Sequence, residues 1–175
     1  MNITVYLGSA KGTSIYEEAV MQLGGWIARN DHRLVYGGSK VGLMGKLADA
    51  CLAQGGYVIG VEPAFFVESA VQHPGIQELI VTQNMHERKA KMLELGDAFI
   101  AFPGGTGTLE EITEIMSHRN IGLISKPCIL YSLNGYYDAL RAQLEHMVRE
   151  GFYPAESLRS IHFAADLDKI ARILA

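Results

Sequence analysis

The sequence has few of the residues that build disulfide frameworks or metal sites. Only two cysteines occur, Cys51 in a helical pattern and Cys128 in a strand pattern. Their spacing does not match a zinc site, so we expect two reduced, buried thiols in a cytoplasmic protein. No pair of histidines has metal-binding spacing either, and the sequence therefore predicts no metal site.

Long hydrophobic runs and an excess of basic residues are also missing. No apolar segment approaches the roughly 20 residues that a membrane-spanning helix needs. The N-terminus, residues 1–7, lacks the basic start of a signal peptide and is typical of a first strand. The formal net charge of -4 and the pI of about 5.8 argue against general binding of nucleic acid or of anionic membranes.

Several well-known active-site motifs are absent. The sequence has no phosphate-binding loop of the form G-x-x-x-x-G-K-[ST], and none of its glycine turns has the full G-x-G-x-x-G spacing. The second absence argues against an oxidoreductase that uses a dinucleotide. A G-x-S-x-G element is missing as well, which argues against a serine hydrolase of that kind.

Short apolar runs alternate with amphipathic helical segments along all 175 residues, of which 49% are hydrophobic, as is ordinary for a soluble globular protein. The predicted strands are Ile3–Leu7, Leu34–Tyr36, Tyr57–Val61, Leu79–Val81, Asp97–Phe102, Lys126–Tyr131 and Ile161–Phe163. This alternation predicts a single α/β domain over residues 1–175, with a doubly wound parallel sheet and helices on both faces.

Local signals predict where helices begin and where one connection is irregular. Thr13 or Ser14 is expected to cap the first helix, and Glu17 follows Ser14 at the spacing of a capping box. Asn84 is expected to cap a later helix. Residues 62–75 include two prolines and predict an irregular connection, which often forms a wall of a binding site.

The glycine-rich stretch at residues 103–111 is the strongest functional feature. It follows a predicted strand and precedes a helical pattern, so its N–H groups and the positive end of the helix dipole favour a phosphate ligand. Thr108 is expected to cap this helix and to offer its hydroxyl to a phosphate oxygen. Glu110 and Glu111 point about 100° apart on a helix, so only one of them can face the ligand. The position of the other glutamate is explained by a favourable interaction with the positive end of the helix dipole.

Two further glycine turns, at residues 8–12 and 37–42, also follow predicted strands. The carboxyl ends of parallel strands meet at one edge of a sheet, so three such turns can converge on one ligand. A tight connection between strand and helix explains either turn alone equally well.

Arg88 and Lys89 open a predicted helix, where the helix dipole disfavours cations. This placement favours an anionic partner, and the planar guanidinium of Arg88 suits a phosphate or a carboxylate. For Lys89, a solvated surface position is the alternative. His86 and His118 are candidate acid/base groups.

Two motifs resemble a known family. Residues 103–111 match P-G-G-x-G-T-x-x-E, and residues 85–89 match M-x-x-R-K. With residues 36–45, they resemble the LOG (LONELY GUY) family over nearly the whole chain. Its members are phosphoribohydrolases that release a free base from a cytokinin riboside 5′-monophosphate or from AMP, and they have often been labelled lysine decarboxylases in error. The resemblance implies a Rossmann-like fold, a homodimer or larger homo-oligomer, and no metal or organic cofactor.

The resemblance also implies a site. Arg88 and Glu111 would be the catalytic pair, with Glu111 stabilising a ribosyl cation and Arg88 orienting Glu111. The expected substrate contacts are Ser9, Gly37, Gly38, Met85, Lys89, Gly104, Gly105, Thr106, Gly107, Thr108, Glu110 and Ser117. The glycine–threonine turn among them would hold the 5′-phosphate. Ser39, Lys40 and residues 62–75 differ from many members, which bears on the preferred base.

Two other functions remain as alternatives. A non-catalytic nucleotide-binding or sensing protein on the same fold would use the same glycine turns without needing Glu111 for chemistry. Lysine decarboxylation would need a lysine that carries pyridoxal phosphate, and no lysine lies in a recognisable site of that kind.

Overall fold

The structure is a computed structural model that describes residues 1–68 and 71–175. The strands of the described part are β1 (Asn2–Tyr6), β2 (Arg33–Tyr36), β3 (Tyr57–Pro63), β4 (Glu78–Thr82), β5 (Ala98–Ala101), β6 (Cys128–Tyr131) and β7 (Ile161–Ala164). The α-helices are α1 (Ser14–Arg29), α2 (Gly42–Leu52), α3 (Ala64–Glu68), α4 (Met85–Leu95), α5 (Thr106–Asn120), α6 (Asp138–Arg149), α7 (Ala155–Arg159) and α8 (Leu167–Leu174). A short 3-10 turn, Leu133–Gly135, follows β6.

These strands form one parallel sheet in the order β4-β3-β2-β1-β5-β6-β7. The chain builds the sheet outward from β1 to β4 and then continues on the other side of β1 with β5. Strand order therefore reverses between β1 and β5, where Tyr6 is paired with Ala101. Ligands of doubly wound sheets bind beyond the carboxyl ends of the strands at this reversal. The predicted α/β fold is confirmed.

Helices cover both faces of the sheet. Successive strand residues point to opposite faces, so Val5 packs into a core shared with α1, α2 and α8. Its neighbour Tyr6 packs into a second core shared with α4, α5 and α6. Because both faces are buried, strands such as β5 are apolar along their whole length, which is why they were recognisable as continuous apolar runs.

The connection after β3 is more regular than predicted. Strand β3 continues through Glu62 to Pro63, and α3 follows it directly. Farther on, Ser39 and Gln72 form an isolated antiparallel bridge that ties this connection to the turn after β2. Residues 69 and 70, part of the predicted irregular stretch, lie outside the described residues.

The predicted cap of α4 is confirmed, whereas the capping hydrogen bond predicted at α1 is absent. The Asn84 side chain accepts a hydrogen bond from the Glu87 backbone N–H (2.9 Å), as a cap of α4 should. At α1, Thr13 occupies the cap position but its side chain accepts no capping hydrogen bond. Glu17 does not complete a capping box, because its carboxylate pairs with Lys46 of α2 at 3.0 Å.

Candidate active site

The three glycine turns converge at the carboxyl edge of the sheet, as predicted. A Cβ on Gly8, after β1, would lie 3.6 Å from the Gly104 Cα after β5. A Cβ on Gly42, after β2, would overlap the Ser9 carbonyl. The backbones approach each other this closely because glycine has no side chain. The strand reversal thus brings turns that are far apart in sequence to one place.

Helix α5 begins at this place with unpaired N–H groups. Gly105 is its N-cap residue and has no side chain with which to cap it. The first backbone hydrogen bond of this helix runs from the Leu109 N–H to the Gly105 carbonyl (3.1 Å). The N–H groups of Thr106, Gly107 and Thr108 precede that bond and have no partner within the helix. Together with the positive end of the helix dipole, they are suited to binding an anion.

Thr108 does not cap α5, so that prediction is wrong. It is the third residue of the helix, and its side chain packs against Gly104, where an added Cβ would overlap it. Its hydroxyl is buried and has no hydrogen-bond partner among the described residues. Such a group is destabilising unless a ligand or water satisfies it, so the hydroxyl remains suited to a phosphate oxygen.

Arg88 and Glu111 form a buried ion pair between α4 and α5. The Arg88 Nη1 donates to Glu111 Oε1 at 2.8 Å, and the two residues are only 8% and 7% exposed. The Arg88 Nε also donates to the Val61 carbonyl at the end of β3 (3.0 Å). The guanidinium, which belongs to α4, is thereby held in one orientation by contacts with β3 and α5.

Gly37 provides the space for this arrangement. A Cβ at this position would overlap both the Arg88 guanidinium and the Met44 methyl group. The glycine turn after β2 therefore lets Arg88 pass beneath it towards Glu111. The sequence predicted Gly37 and Gly38 as substrate contacts, and the structure shows that both also make room for site side chains.

Electrostatically, the site holds one buried cation near two buried carboxyl groups. Burial raises the pKa of Glu111, while the charge of Arg88 and its hydrogen bond oppose the shift. Burial also raises the pKa of Glu62, and the Arg88 charge opposes that shift too. Loss of solvation disfavours the charged form of both acids, and Arg88 is the cation that keeps them ionisable.

Arg88, Glu111, Glu62 and the start of α5 all line one cavity of about 530 Å³. The predicted site residues that line it are Ser9, Gly37, Met85, Arg88, Gly105, Thr106, Gly107, Thr108, Glu110 and Glu111. Gly38 and Gly104 belong to turns that line the cavity but do not line it themselves. The wall also contains residues that were not named individually as contacts. Ser39 and Val41 belong to the glycine turn at residues 37–42, and Glu62, Phe66 and Val71 belong to the stretch 62–75 that was predicted to form a wall, whereas Met44 was missed. For Glu62, a carboxylate at the carboxyl end of a predicted strand was the available signal.

Two predicted contacts lie away from this wall. The Lys89 side chain is only 16% exposed, and its ammonium pairs with Glu110 (2.7 Å) and Glu114 (3.2 Å). Ser117 is exposed farther along α5, where its hydroxyl donates to the Thr113 carbonyl (2.9 Å). The candidate acid/base group His86 does not line the cavity either. A substrate role for Lys89 or Ser117 stays a prediction.

Sequence comparisons assign this chain to a family. A family model described as "Possible lysine decarboxylase" matches residues 44–174. A cytokinin riboside 5′-monophosphate phosphoribohydrolase of Rhodococcoides fascians is 47% identical over 163 residues, 91% of this chain and 82% of that protein. This chain belongs to the LOG family. A similarly named Arabidopsis thaliana protein is 36% identical to this LOG protein over 173 residues, 98% of this chain and 81% of its own length.

Solved structures confirm the fold of this LOG protein. A molybdenum cofactor binding protein from Rippkaea orientalis superposes with a TM-score of 0.72 at 21% identity, covering 99% of this chain and 96% of that one. A molybdenum cofactor carrier protein from Chlamydomonas reinhardtii gives a TM-score of 0.71 at 20% identity, covering 99% and 95%. At such identities the likeness concerns the fold alone. In residues 1–68 and 71–175 of this LOG protein, every helix is too short or too polar to cross a membrane.

Proposed function

We propose that this LOG protein hydrolyses the N-glycosidic bond of a purine nucleoside 5′-monophosphate. The products are the free base and ribose 5-phosphate, and the substrate is a cytokinin riboside 5′-monophosphate, AMP or both. The observation that carries the proposal is the buried Arg88–Glu111 pair beside the uncapped start of α5 in one cavity. The names of the relatives support it, since both proteins are phosphoribohydrolases acting on such a nucleotide.

The 5′-phosphate binds at the start of α5. The N–H groups of Thr106, Gly107 and Thr108 donate to its oxygens, and the unpaired Thr108 hydroxyl donates as well. Ser9 lines the same part of the cavity and offers a further contact from the turn after β1. With the phosphate held there, the ribose extends along the sheet edge towards Glu111.

Glu111 acts on the sugar. Cleavage of an N-glycosidic bond passes through a ribosyl cation with oxocarbenium character, which a nearby carboxylate stabilises. The electron pair of the breaking bond leaves with the base, and a water oxygen forms the new bond to the anomeric carbon. That water releases one proton, which Glu111 accepts as general base and then returns to solvent, and the departing base takes up one proton from solvent.

Arg88 holds Glu111 in position. Its guanidinium is fixed by the Val61 carbonyl and directs an N–H at one carboxylate oxygen of Glu111. The other oxygen is thereby left for the water or the ribose. Arg88 also lowers the pKa of Glu111, which favours the carboxylate form that the reaction requires.

The proposal includes one nucleotide-binding domain, a homodimer or larger homo-oligomer, and a cytoplasmic location. Ile121 and Leu123, after α5, are 67% and 65% exposed, and such apolar surface supports self-association. Cys51 and Cys128 are both free and buried, as suits a reducing compartment. Light scattering coupled to gel filtration measures the assembly, and a monomer at micromolar concentration would contradict it.

Incubation with AMP and with isopentenyladenosine monophosphate, followed by chromatography of the released base, tests the reaction. We expect free adenine or isopentenyladenine together with ribose 5-phosphate. A non-catalytic nucleotide-binding protein would bind these compounds and leave them intact. Incubation with lysine tests the decarboxylase activity that the description of the family model names. Decarboxylation requires a lysine in the site for pyridoxal phosphate, and no described lysine lines the cavity.

A further inference from the structure

Glu62 is a buried carboxyl group in the cavity wall that the proposed chemistry does not use. It lies near the carboxyl end of β3 and is 1% exposed. Its Oε2 is buried and finds no hydrogen-bond partner among the described residues, and within those residues Glu62 forms no ion pair. Buried polar atoms of folded proteins are nearly always satisfied, so this oxygen is suited to a donor that arrives with the ligand.

The position of Glu62 along the sheet edge matches the base of a bound nucleotide. Strand β3 lies two strands from β1, about 10 Å away, on the side opposite β5. The Arg88 side chain links the two sides, because its Nε donates to the Val61 carbonyl of β3 and its Nη1 donates to Glu111 of α5. The edge therefore presents the start of α5, then Glu111, then Arg88, then Glu62. A nucleoside monophosphate has the corresponding order of phosphate, ribose and base.

The surroundings of Glu62 are those of a base pocket. Met44, Phe66 and Val71 line the same cavity and supply apolar surface for the faces of a ring. Gly38, with a φ of +86°, packs directly on the acid, since an added Cβ would lie 3.3 Å from the Glu62 Cβ. A pocket with apolar walls and one placed polar group is the usual way in which proteins orient a small ring.

We propose that the Glu62 carboxylate accepts a hydrogen bond from the 6-amino group of the bound purine and so makes the site selective for 6-aminopurines over 6-oxopurines. This inference rests on the proposed function. An ionised carboxylate only accepts hydrogen bonds, and a 6-oxo group only accepts as well. Two buried acceptors facing each other leave both unsatisfied, whereas an amino group, even with one alkyl substituent, still has an N–H to donate.

The test compares AMP, IMP and GMP with the wild-type protein and with Glu62→Gln. We expect the wild type to have a kcat/KM for AMP on the order of 100-fold above the values for IMP and GMP. Glutamine both donates and accepts, so the AMP:IMP ratio should fall by at least about 10-fold in the variant. Glu78→Gln makes the same chemical change at an exposed position of β4 outside the cavity and should keep the wild-type ratio.

Several outcomes would overturn the role of Glu62. These are a wild-type preference for IMP or GMP, an unchanged AMP:IMP ratio in Glu62→Gln, or an equal loss of kcat/KM for all three nucleotides. If the wild type releases base from none of them, and from isopentenyladenosine monophosphate neither, the proposed function fails instead. Calorimetric affinities of AMP and IMP for the wild type and the variant then still decide whether Glu62 discriminates between the bases. Thermal melting and a second variant, Glu62→Met, distinguish loss of selectivity from loss of folding.

Discussion

The Arg88 Nη1 lies 2.8 Å from Glu111 Oε1, and this contact joins α4 to α5 below the glycine turns. Neither residue is more than 8% exposed. Taking a charged pair out of water is costly, and the net benefit to stability of such a pair is often small. A pair retained at the wall of a cavity, beside a helix start that has no side-chain cap, is better explained by chemistry than by folding. The first two predictions concern this pair.

Glu111→Gln should abolish most catalysis while leaving the fold intact. The amide keeps the shape of the side chain but has no negative charge to stabilise a ribosyl cation, so we expect kcat to fall by at least about 100-fold. Glu114→Gln is the control, because Glu114 lies one turn later on α5, pairs with Lys89 and does not line the cavity. Release of adenine from AMP at the wild-type rate by Glu111→Gln would refute the assignment.

The acid limb of the pH–rate profile should report the pKa of Glu111. Burial raises that pKa, Arg88 lowers it, and the reaction needs the carboxylate. Removing the cation in Arg88→Gln therefore raises the pKa further, so the acid limb should move to higher pH. Lys89 makes a smaller contribution of the same sign, and Lys89→Gln should move the limb less. A limb that stays in place, or moves to lower pH, in Arg88→Gln would contradict the proposed coupling.

Thr108→Val should weaken phosphate binding without destabilising the protein. The hydroxyl is buried and unpartnered among the described residues, so its removal should leave the melting temperature unchanged or slightly raised. The KM for AMP should rise by roughly 10-fold, whereas binding of adenosine, which has no phosphate, should not change. The control is Thr113→Val. It removes a hydroxyl of the same helix that donates to the Leu109 carbonyl. An unchanged KM for AMP in Thr108→Val would argue against the phosphate contact.

Gly104→Ala should destabilise the fold, whereas Gly105→Ala should not. A Cβ on Gly104 would overlap the Thr108 side chain and lie 2.9 Å from the Gly8 nitrogen, while one on Gly105 meets nothing within 4 Å. We expect a loss of about 1–3 kcal/mol in the free energy of unfolding for Gly104→Ala, as for other overpacked sites. Urea denaturation measures the stability of both variants. Equal midpoints would show that the turns at Gly8 and Gly104 can move apart without loss of stability.

Much of the fold was predictable because its signals are local. The sheet is buried on both faces, so its strands are continuous apolar runs, and β1, β2 and β5 were placed to within about two residues, the usual uncertainty of element ends. The Asn84 cap was also predictable, since its partner is only three residues away. The Thr108 cap was wrong because helix α5 begins two residues earlier, at Thr106, and the threonine lies inside its first turn.

The site was predictable only in part. The two sequence motifs pointed to Arg88, Glu111 and the glycine–threonine turn, which all line one cavity. They did not reveal that Lys89 pairs with Glu110 and Glu114, or that Met44 of α2 belongs to the wall. Such facts depend on which elements pack together. A lysine at the start of a helix has the same local sequence whether it faces solvent or a neighbouring helix.

The sequence by itself determined the alternation of strands and helices, the glycine turns at strand ends and the family to which the chain belongs. These properties follow from the order of residues along short segments. The tertiary structure decided the strand order and the reversal between β1 and β5, and it brought the turns together. It also joined Arg88 to Glu111 and left the Glu62 and Thr108 oxygens unpartnered among the described residues. The physical reason is that these relationships arise from long-range packing, in which side chains distant in sequence compete for the same buried space.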